Sequence, residues 1–391
     1  MPEKILVVDD EPDLESLIRQ RFRKQIRENE YEFVFASNGL EALAKLLEHK
    51  NTGIILSDIN MPEMDGLTLL AKLNELKNPA LKTVIVSAYG DMDNIRCAMN
   101  RGAFDFITKP VDFNDLESTI KKTIKELSIL RRAQLEHDEL LAIQHDLNVA
   151  RNIQQSILPL VFPPFPEKTE FDVYAAMKAA KEVGGDFYDF FMIDNERLGF
   201  VIGDVSGKGI PAAIFMAVSR TLLRATALKG LSAGECLAYV NNLLCLESVS
   251  AMFVTIFYGI LNTATGEIEY ANGGHNPPYV LSADGEVTEV PTTNGIALGV
   301  IDNVPYAVNT LNLKTGDTIF LFTDGVTEAF NKEEELYSEK RLEQLLPSLK
   351  GVCVEDVVSG VFESVHSYSQ GCSQSDDITA LALKYNGGIS N

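Results

Sequence analysis

GFVIGDVSGKG (199–209) runs from apolar residues straight into an aspartate and a glycine-rich turn, so Asp204 stands where a strand ends. Three further acidic segments stand in similar relation to strand-like runs. TIFLFTD delivers Asp324 within TDGVTE (323–328), SDDIT (375–379) precedes ITALAL, and GGDFYDF (184–190) lies at the head of YDFFMI. Strand ends are where a sheet presents side chains to a cleft. Carboxylates gathered there repel one another and lose hydration, and each one left unpaired costs several kcal/mol. Hard divalent cations such as Mg²⁺ or Mn²⁺ resolve the conflict, because they take oxygen ligands.

Around these segments, residues 161–391 read as one domain. Strand-like runs include FDVYAAM, YDFFMI, RLGFVIGD, MFVTIFYGIL, GEIEYAN, PPYVLS, EVTEV, AVNTLNL, DTIFLFTD and ITALALKY. Helical stretches (PAAIFMAVSRTLLRATA, SAGECLAYVNNLLCLE, SEKRLEQLLPSL, CVEDVVSGVFESVHSY) come in pairs between them. Many antiparallel strands with paired helices imply a β-sandwich flanked by helices, an α+β fold of four αββα layers. Two metal ions about 3.5–4 Å apart, bridged by carboxylates, lower the pKa of a water and aim it at phosphorus. No GxSxG, HExxH or GxxxxGK[ST] motif offers another chemistry.

Residues 113–160 read as a helical linker. No Gly or Pro interrupts Phe113 to Leu158, and Leu116, Ile120, Ile124, Leu127 and Leu130, then Leu140, Ile143, Leu147, Ala150, Ile153 and Ile157, recur at spacings of three and four. This narrow stripe is of coiled-coil type and predicts a parallel homodimer. As a single helix it would extend about 65 Å. The register breaks near RRAQLEHDE (131–139), which allows two helices or a flexible junction, and PLVFPPFPE (159–167) stops the helix.

Residues 1–125 alternate strand and helix. ILVV, YEFVFA, GIILS, TVIVS and FDFIT are strand-like, with stretches such as LESLIRQRFRKQI and GLEALAKLLEHK between them. Five β/α repeats predict a parallel sheet with helices on both faces and a site at the carboxyl ends of the strands. Asp9, Asp10, Asp58, Ser87 and Lys109 stand at those ends. Three carboxylates there can hold Mg²⁺, and one can be a nucleophile toward phosphoryl groups. The lysine charge and the serine hydroxyl suit phosphoryl oxygens.

VVDDEP (7–12), LSDINMPEMDG (56–66), VSAYGD (86–91) and FITKP (106–110) resemble, in that order, the flavodoxin-like receiver domain of two-component response regulators, over about residues 3–125. The resemblance implies that Asp58 accepts a phosphoryl group from a cognate histidine kinase. It implies that Asp9, Asp10, Asp58 and the Asn60 carbonyl hold Mg²⁺, and that Lys109 and Ser87 contact the phosphoryl group. Phe106 matches the aromatic switch position, although an aromatic on a strand is also ordinary core.

GGDFYDF, GDVSGKGIPAA (203–213), YANGGHNPP (270–278), TDGVTE and DDITAL (376–381), with the lead-in ARNIQQSILP (150–159), resemble the SpoIIE/RsbU-type branch of the metal-dependent protein phosphatase 2C superfamily, over about residues 145–386. The resemblance implies two Mn²⁺ or Mg²⁺ ions. Asp186, Asp204 and the Val205 carbonyl would hold one or bridge both, and Asp324 and Asp376 would complete the second site, with Asp377 a weaker ligand than Asp376. It implies hydrolysis of phosphoserine or phosphothreonine on a small anti-sigma-factor antagonist-type protein. The phosphate-contacting arginine of eukaryotic members has no counterpart by motif, and Lys178 or Lys181 could substitute. Lys208 could meet substrate phosphate or simply be solvated. His275 could assist catalysis or stabilise a turn. Two other readings stay open: a non-enzymatic partner-binding pseudophosphatase, and a metal-dependent phosphoesterase of small molecules.

Composition agrees with these expectations. The formal net charge of −22 argues against a nucleic-acid partner. Five scattered cysteines without CxxC spacing suggest free thiols in a reducing cytoplasm. MPEKILVVDDEPD does not read as a signal peptide, and no apolar run approaches ~18 residues, so no membrane span is expected.

Overall fold

The central strands of the first sheet are apolar on both faces, and the edge strands less so. The structure, a computed structural model, describes residues 2–88, 91–247 and 252–388, so Tyr89 and Gly90 of VSAYGD lie outside the described residues. Contacts divide the chain into two compact units, 1–143 and 144–391.

In the first unit β1 (Glu3–Val8), β2 (Tyr31–Ala36), β3 (Thr52–Asp58), β4 (Lys82–Ala88) and β5 (Asp105–Lys109) form a parallel sheet in the order β2-β1-β3-β4-β5. Five helices connect them: α1 (Pro12–Arg21), α2 (Arg23–Arg27), α3 (Gly39–Glu48), α4 (Gly66–Glu75) and α5 (Met92–Asn100). Ile5 and Val7 of β1 pack with Ile18, Phe22, Leu116 and Ile120 on one face, and Leu6 and Val8 pack with Ala42, Leu69 and Leu73 on the other. The period-two alternation thus feeds two cores. LESLIRQRFRKQI, expected as one helix, is broken at Phe22, whose φ of −94° and ψ of 20° leave the helix. Its fully buried ring packs against Phe33 at 5.4 Å between centroids, and that burial outweighs continuation of the helix.

One helix, α6, spans Phe113–Ile157 without interruption at RRAQLEHDE. Its first part joins the receiver core through Leu116, Ile120 and Leu127, and Arg131 grips Glu3 of β1 with two bonds of 2.8 and 2.9 Å. From there the apolar stripe is bare: Leu135, Leu140, Leu141, Ile143 and Ile153 are each at least half exposed.

In the second unit the chain forms β6 (Phe171–Lys178), β7 (Phe187–Met192), β8 (Arg197–Val205), α7 (Ile210–Ala227), α8 (Ala233–Glu247), β9 (Val254–Asn262), β10 (Glu267–Gly273), β11 (Tyr279–Leu281), β12 (Val287–Glu289), β13 (Asn309–Asn312), β14 (Thr318–Phe322), α9 (Asp324–Thr327), α10 (Ser338–Leu345), α11 (Val354–Tyr368) and β15 (Ile378–Tyr385). Two antiparallel sheets result, β13-β10-β9-β8-β7 and β12-β11-β14-β15-β6. Ile319 and Leu321 point into the core between the sheets, while Phe320 and Phe322 point outward onto Val357, Val361 and Val365 of α11. Helices α7 and α8 cover the other sheet, which completes four layers.

Among the described residues one helix, α7, is apolar enough to be compared with a membrane span, although it contains two arginines. At 18 residues and mean hydropathy 1.2 it is long and apolar enough to cross a membrane. Here it packs on β7 and β8 through Ala212, Met216 and Leu223. Its Arg220 and Arg224 reach the fully buried Asp189 of β7 at 2.8 and 2.9 Å.

Candidate active site

The two sheets each bring two carboxylates to the same end of the sandwich. Asp186 immediately precedes β7 and Asp204 lies near the end of β8, in one sheet; Asp324 follows β14 by two residues and Asp376 precedes β15 by two, in the other. The short turns TDG and DDI follow from close backbone approach: a Cβ on Gly325 would lie 1.9 Å from the Asp377 carbonyl oxygen, so only glycine fits.

Asp186 is 1 % exposed, and its Oδ2 accepts hydroxyl bonds from Thr323 (2.7 Å) and Thr379 (2.6 Å) of the opposite sheet. Thr323 Oγ1 also accepts from the Thr379 N–H at 3.0 Å, which directs its own proton to Asp186. Burial first, then the charges of Asp204 and Asp377, hold the Asp186 carboxyl well above the usual range. Burial and Asp324 push Asp204 up to about 7. Burial, Glu328 and Asp376 push Asp324 up to about 6. Asp376 is paired with Lys208 Nζ at 2.9 Å, and Lys208 also donates to the Ser375 carbonyl. Lys208 is thus held against the acidic cluster.

Asp377 faces elsewhere. Its Oδ1 accepts from the Ala180 N–H (2.8 Å) and its Oδ2 from the Gly185 N–H (2.6 Å), so both oxygens tie down the loop that carries Asp186. The Val205 carbonyl abuts Gly185 of that loop. Lys178 ends β6 and Lys181 lies in the following loop, both exposed and neither in an ion pair among the described residues. His275 is buried and bonded at both ring nitrogens, to Thr255 and to the Phe322 carbonyl.

Three contributors were hidden in the sequence. Thr323 and Thr379 sit inside the acidic motifs, but nothing in their spacing marks them as anchors of Asp186. Gln154, inside ARNIQQSILP, is buried near the end of α6. Its amide nitrogen donates to the Gly184 carbonyl (2.6 Å) and its oxygen accepts from the Gly184 N–H (3.0 Å). A glutamine whose partner lies 30 residues further along the chain is visible only after folding.

In the receiver the carboxylate oxygens of Asp9, Asp10 and Asp58 lie within 4.8 Å of one another. Lys109 Nζ lies 2.8 Å from Asp58 Oδ2 and 3.0 Å from both Asp9 Oδ2 and Glu11 Oε1. Burial opposes the lysine's charge, but the bonds to Asp58, Asp9 and Glu11 outweigh it and raise its pKa. Asp9 Oδ2 is buried and, despite that ion pair, lacks a partner in hydrogen-bond geometry. A buried carboxylate oxygen met only by a lysine, beside two other carboxylates, fits a divalent cation. Asp58 Oδ1 accepts from the Ile59 N–H at 2.6 Å and more weakly from the Asn60 N–H at 3.4 Å. Gly66 is required here, because a Cβ would lie 2.1 Å from the Asp58 carbonyl oxygen. Ser87 is buried at the end of β4, with its hydroxyl 3.4 Å from Asp91, and Phe106 on β5 is 38 % exposed.

A parallel-sheet unit with an acid–lysine cleft, followed by a carboxylate-rimmed sandwich, defines a signalling receiver coupled to a phosphatase-type domain. Residues 5–121 match the response regulator receiver domain family, and residues 194–386 match the family described as Stage II sporulation protein E (SpoIIE). The chain belongs to the response regulators, with a receiver domain joined to a SpoIIE-type, PP2C-like domain. It is similar to sporulation initiation phosphotransferase F of Bacillus subtilis (31% identity, 31% of this chain, 94% of that protein). It is also similar to phosphoserine phosphatase RsbU of the same species (28% identity, 64% of this chain, 75% of that protein). A crystal structure of RsbU and RsbW domains from Mycobacterium tuberculosis matches with a TM-score of 0.51 at 28% identity, over 56% of this chain and 61% of that one. The match to protein IcfG of a Synechocystis strain, at 29% identity, takes in 62% of this chain but spans only 42% of that relative's length.

Proposed function

We propose that this chain is a Mn²⁺- or Mg²⁺-dependent phosphoserine/phosphothreonine protein phosphatase whose output is set by phosphorylation of Asp58. The observation that supports it is that two sheets carry four aspartates to one end of the sandwich, where burial and neighbouring carboxylates raise the pKa of Asp186, Asp204 and Asp324. Desolvated acids so disposed are stable as anions only beside cations, and Lys208 supplies one positive charge against four negative ones. Asp186, Asp204, the Val205 carbonyl, Asp324 and Asp376 would hold two divalent ions, with Asp377 anchoring the loop. Such ions supply a water of lowered pKa and polarise phosphoryl oxygens. The chain's own residues do the rest. Thr323 and Thr379 fix the orientation of Asp186. Lys208, held 2.9 Å from Asp376 at the edge of the cluster, would meet an anionic phosphoryl group.

RsbU, a relative by sequence, is named a phosphoserine phosphatase. With the family resemblance, it supports a serine-phosphorylated, small anti-sigma-factor antagonist-type protein as substrate. A cytoplasmic histidine kinase would phosphorylate Asp58, with Mg²⁺ held by Asp9, Asp10, Asp58 and the Asn60 carbonyl. Helix α6 offers the route between input and output: Arg131 fastens it to β1 of the receiver, and Gln154 fastens its far end to the GGD loop. The bare stripe from Leu135 to Ile153 supports pairing with the same stripe of a second copy. The test is manganese-dependent phosphate release from a serine-phosphorylated protein of this type. Asp204→Asn should reduce it to background, and a parent chain without activity, or an equally active variant, contradicts the proposal.

A further inference from the structure

Because the candidate metal ligands come in pairs from two different sheets, their spacing depends on what holds the sheets together at that end. His275, in the loop after β10, crosses the gap. Its Nε2 lies 3.1 Å from the Phe322 carbonyl oxygen, two residues before Asp324. A carbonyl only accepts, so Nε2 carries the proton and Nδ1 is the acceptor. Nδ1 therefore takes the Thr255 hydroxyl at 2.8 Å. Thr255 is the cross-strand partner of Asp204 in the β8–β9 pairing. Burial pushes the imidazole down to about 4, although the Phe322 carbonyl favours its charged form, so the ring is neutral at ordinary pH. The Asn272 side chain fixes the loop, donating to the His275 carbonyl (2.8 Å) and accepting from the His275 N–H (2.7 Å).

We propose that His275 is a positioning residue of the phosphatase site: its imidazole joins Thr255 of one sheet to the Phe322 carbonyl of the other and, together with the Thr323 and Thr379 bonds to Asp186, sets the distance between the Asp186–Asp204 and Asp324–Asp376 pairs. This rests on the reading that those carboxylates hold divalent ions. His275 is not itself a ligand, because both ring nitrogens are spent within the protein. Apolar packing between sheets is non-directional, whereas a ring bonded at both ends resists sliding and separation.

The bridge can be cut at either end. His275→Asn keeps an acceptor near the Nδ1 position but is too short to reach Phe322, and Thr255→Val removes the hydroxyl. Thr255→Ser restores it. Manganese binding to the full chain is measured by calorimetry in an Asp10→Asn background, which removes the receiver's acidic trio from the count, with metal-free melting alongside. Both cut variants are expected to bind manganese on the order of tenfold more weakly than the parent, and Thr255→Ser to bind like the parent. Unchanged manganese affinity in the cut variants overturns the proposal, whatever their melting temperatures. If His275→Asn does not fold, Thr255→Val decides alone. A parent that binds no manganese overturns the metal reading itself, and this proposal with it, and so is distinguishable from failure of the bridge.

Discussion

Asp204 and Asp324 show what the sandwich does to single residues. Their carboxyls are pushed up to about 7 and about 6, chiefly by burial. The folded chain therefore holds protons that the unfolded chain releases near pH 4. This stabilisation is complete below about pH 4 and is lost as pH rises through 6 to 7. In chelator, the chain should melt at a lower temperature at pH 8 than at pH 5, and manganese should recover the difference at pH 8; calorimetric melting checks both. A metal-free chain that melts identically at the two pH values contradicts the burial that raises these acids. The four main aspartates were legible because each is tied to an apolar run. Asp377 was ambiguous in SDDIT, since adjacent aspartates look alike until the backbone shows which one faces the loop. The threonines on Asp186 were not legible, because a hydroxyl's partner lies across a sheet-to-sheet gap that no local spacing encodes.

At the scale of elements, period and length carried most of the information. Runs such as TIFLF and ITALAL alternate between two cores and read as strands without difficulty. Helix continuity was the part that period and length left open. LESLIRQRFRKQI breaks where Phe22 is drawn into the core, and RRAQLEHDE does not break although its stripe loses register, because a helix without Gly or Pro has no local reason to stop. Helix α7 is held to β7 by Arg220 and Arg224 on the buried Asp189. Asp189→Ala leaves two cations without their partner and should destabilise the chain by about 3–5 kcal/mol, measured by urea unfolding; a change under about 1 kcal/mol would show the cluster to be ornamental. On α6, Leu140→Lys with Ile143→Lys places charge on the bare stripe. Sedimentation should then shift from dimer to monomer, and a parent chain that is monomeric at every concentration contradicts the pairing.

For the whole molecule, the proposal is that α6, one continuous helix, joins phosphorylation of Asp58 to hydrolysis. The receiver cleft has its acids and lysine in contact, and the phosphatase-type domain has its carboxylates gathered, yet each could act alone. In that proposal Gln154 on Gly184 is the specific contact, because the loop it holds carries Asp186. Allosteric couplings of this kind change affinity or rate by roughly 5–150-fold. The decisive measurement is the initial rate of manganese-dependent phosphate release from a serine-phosphorylated antagonist-type protein, taken with the full chain before and after a small-molecule phosphodonor acts on Asp58. We expect the rate to change by roughly tenfold in the parent and not at all in Asp58→Asn; equal rates in the parent before and after phosphorylation contradict receiver control of the phosphatase.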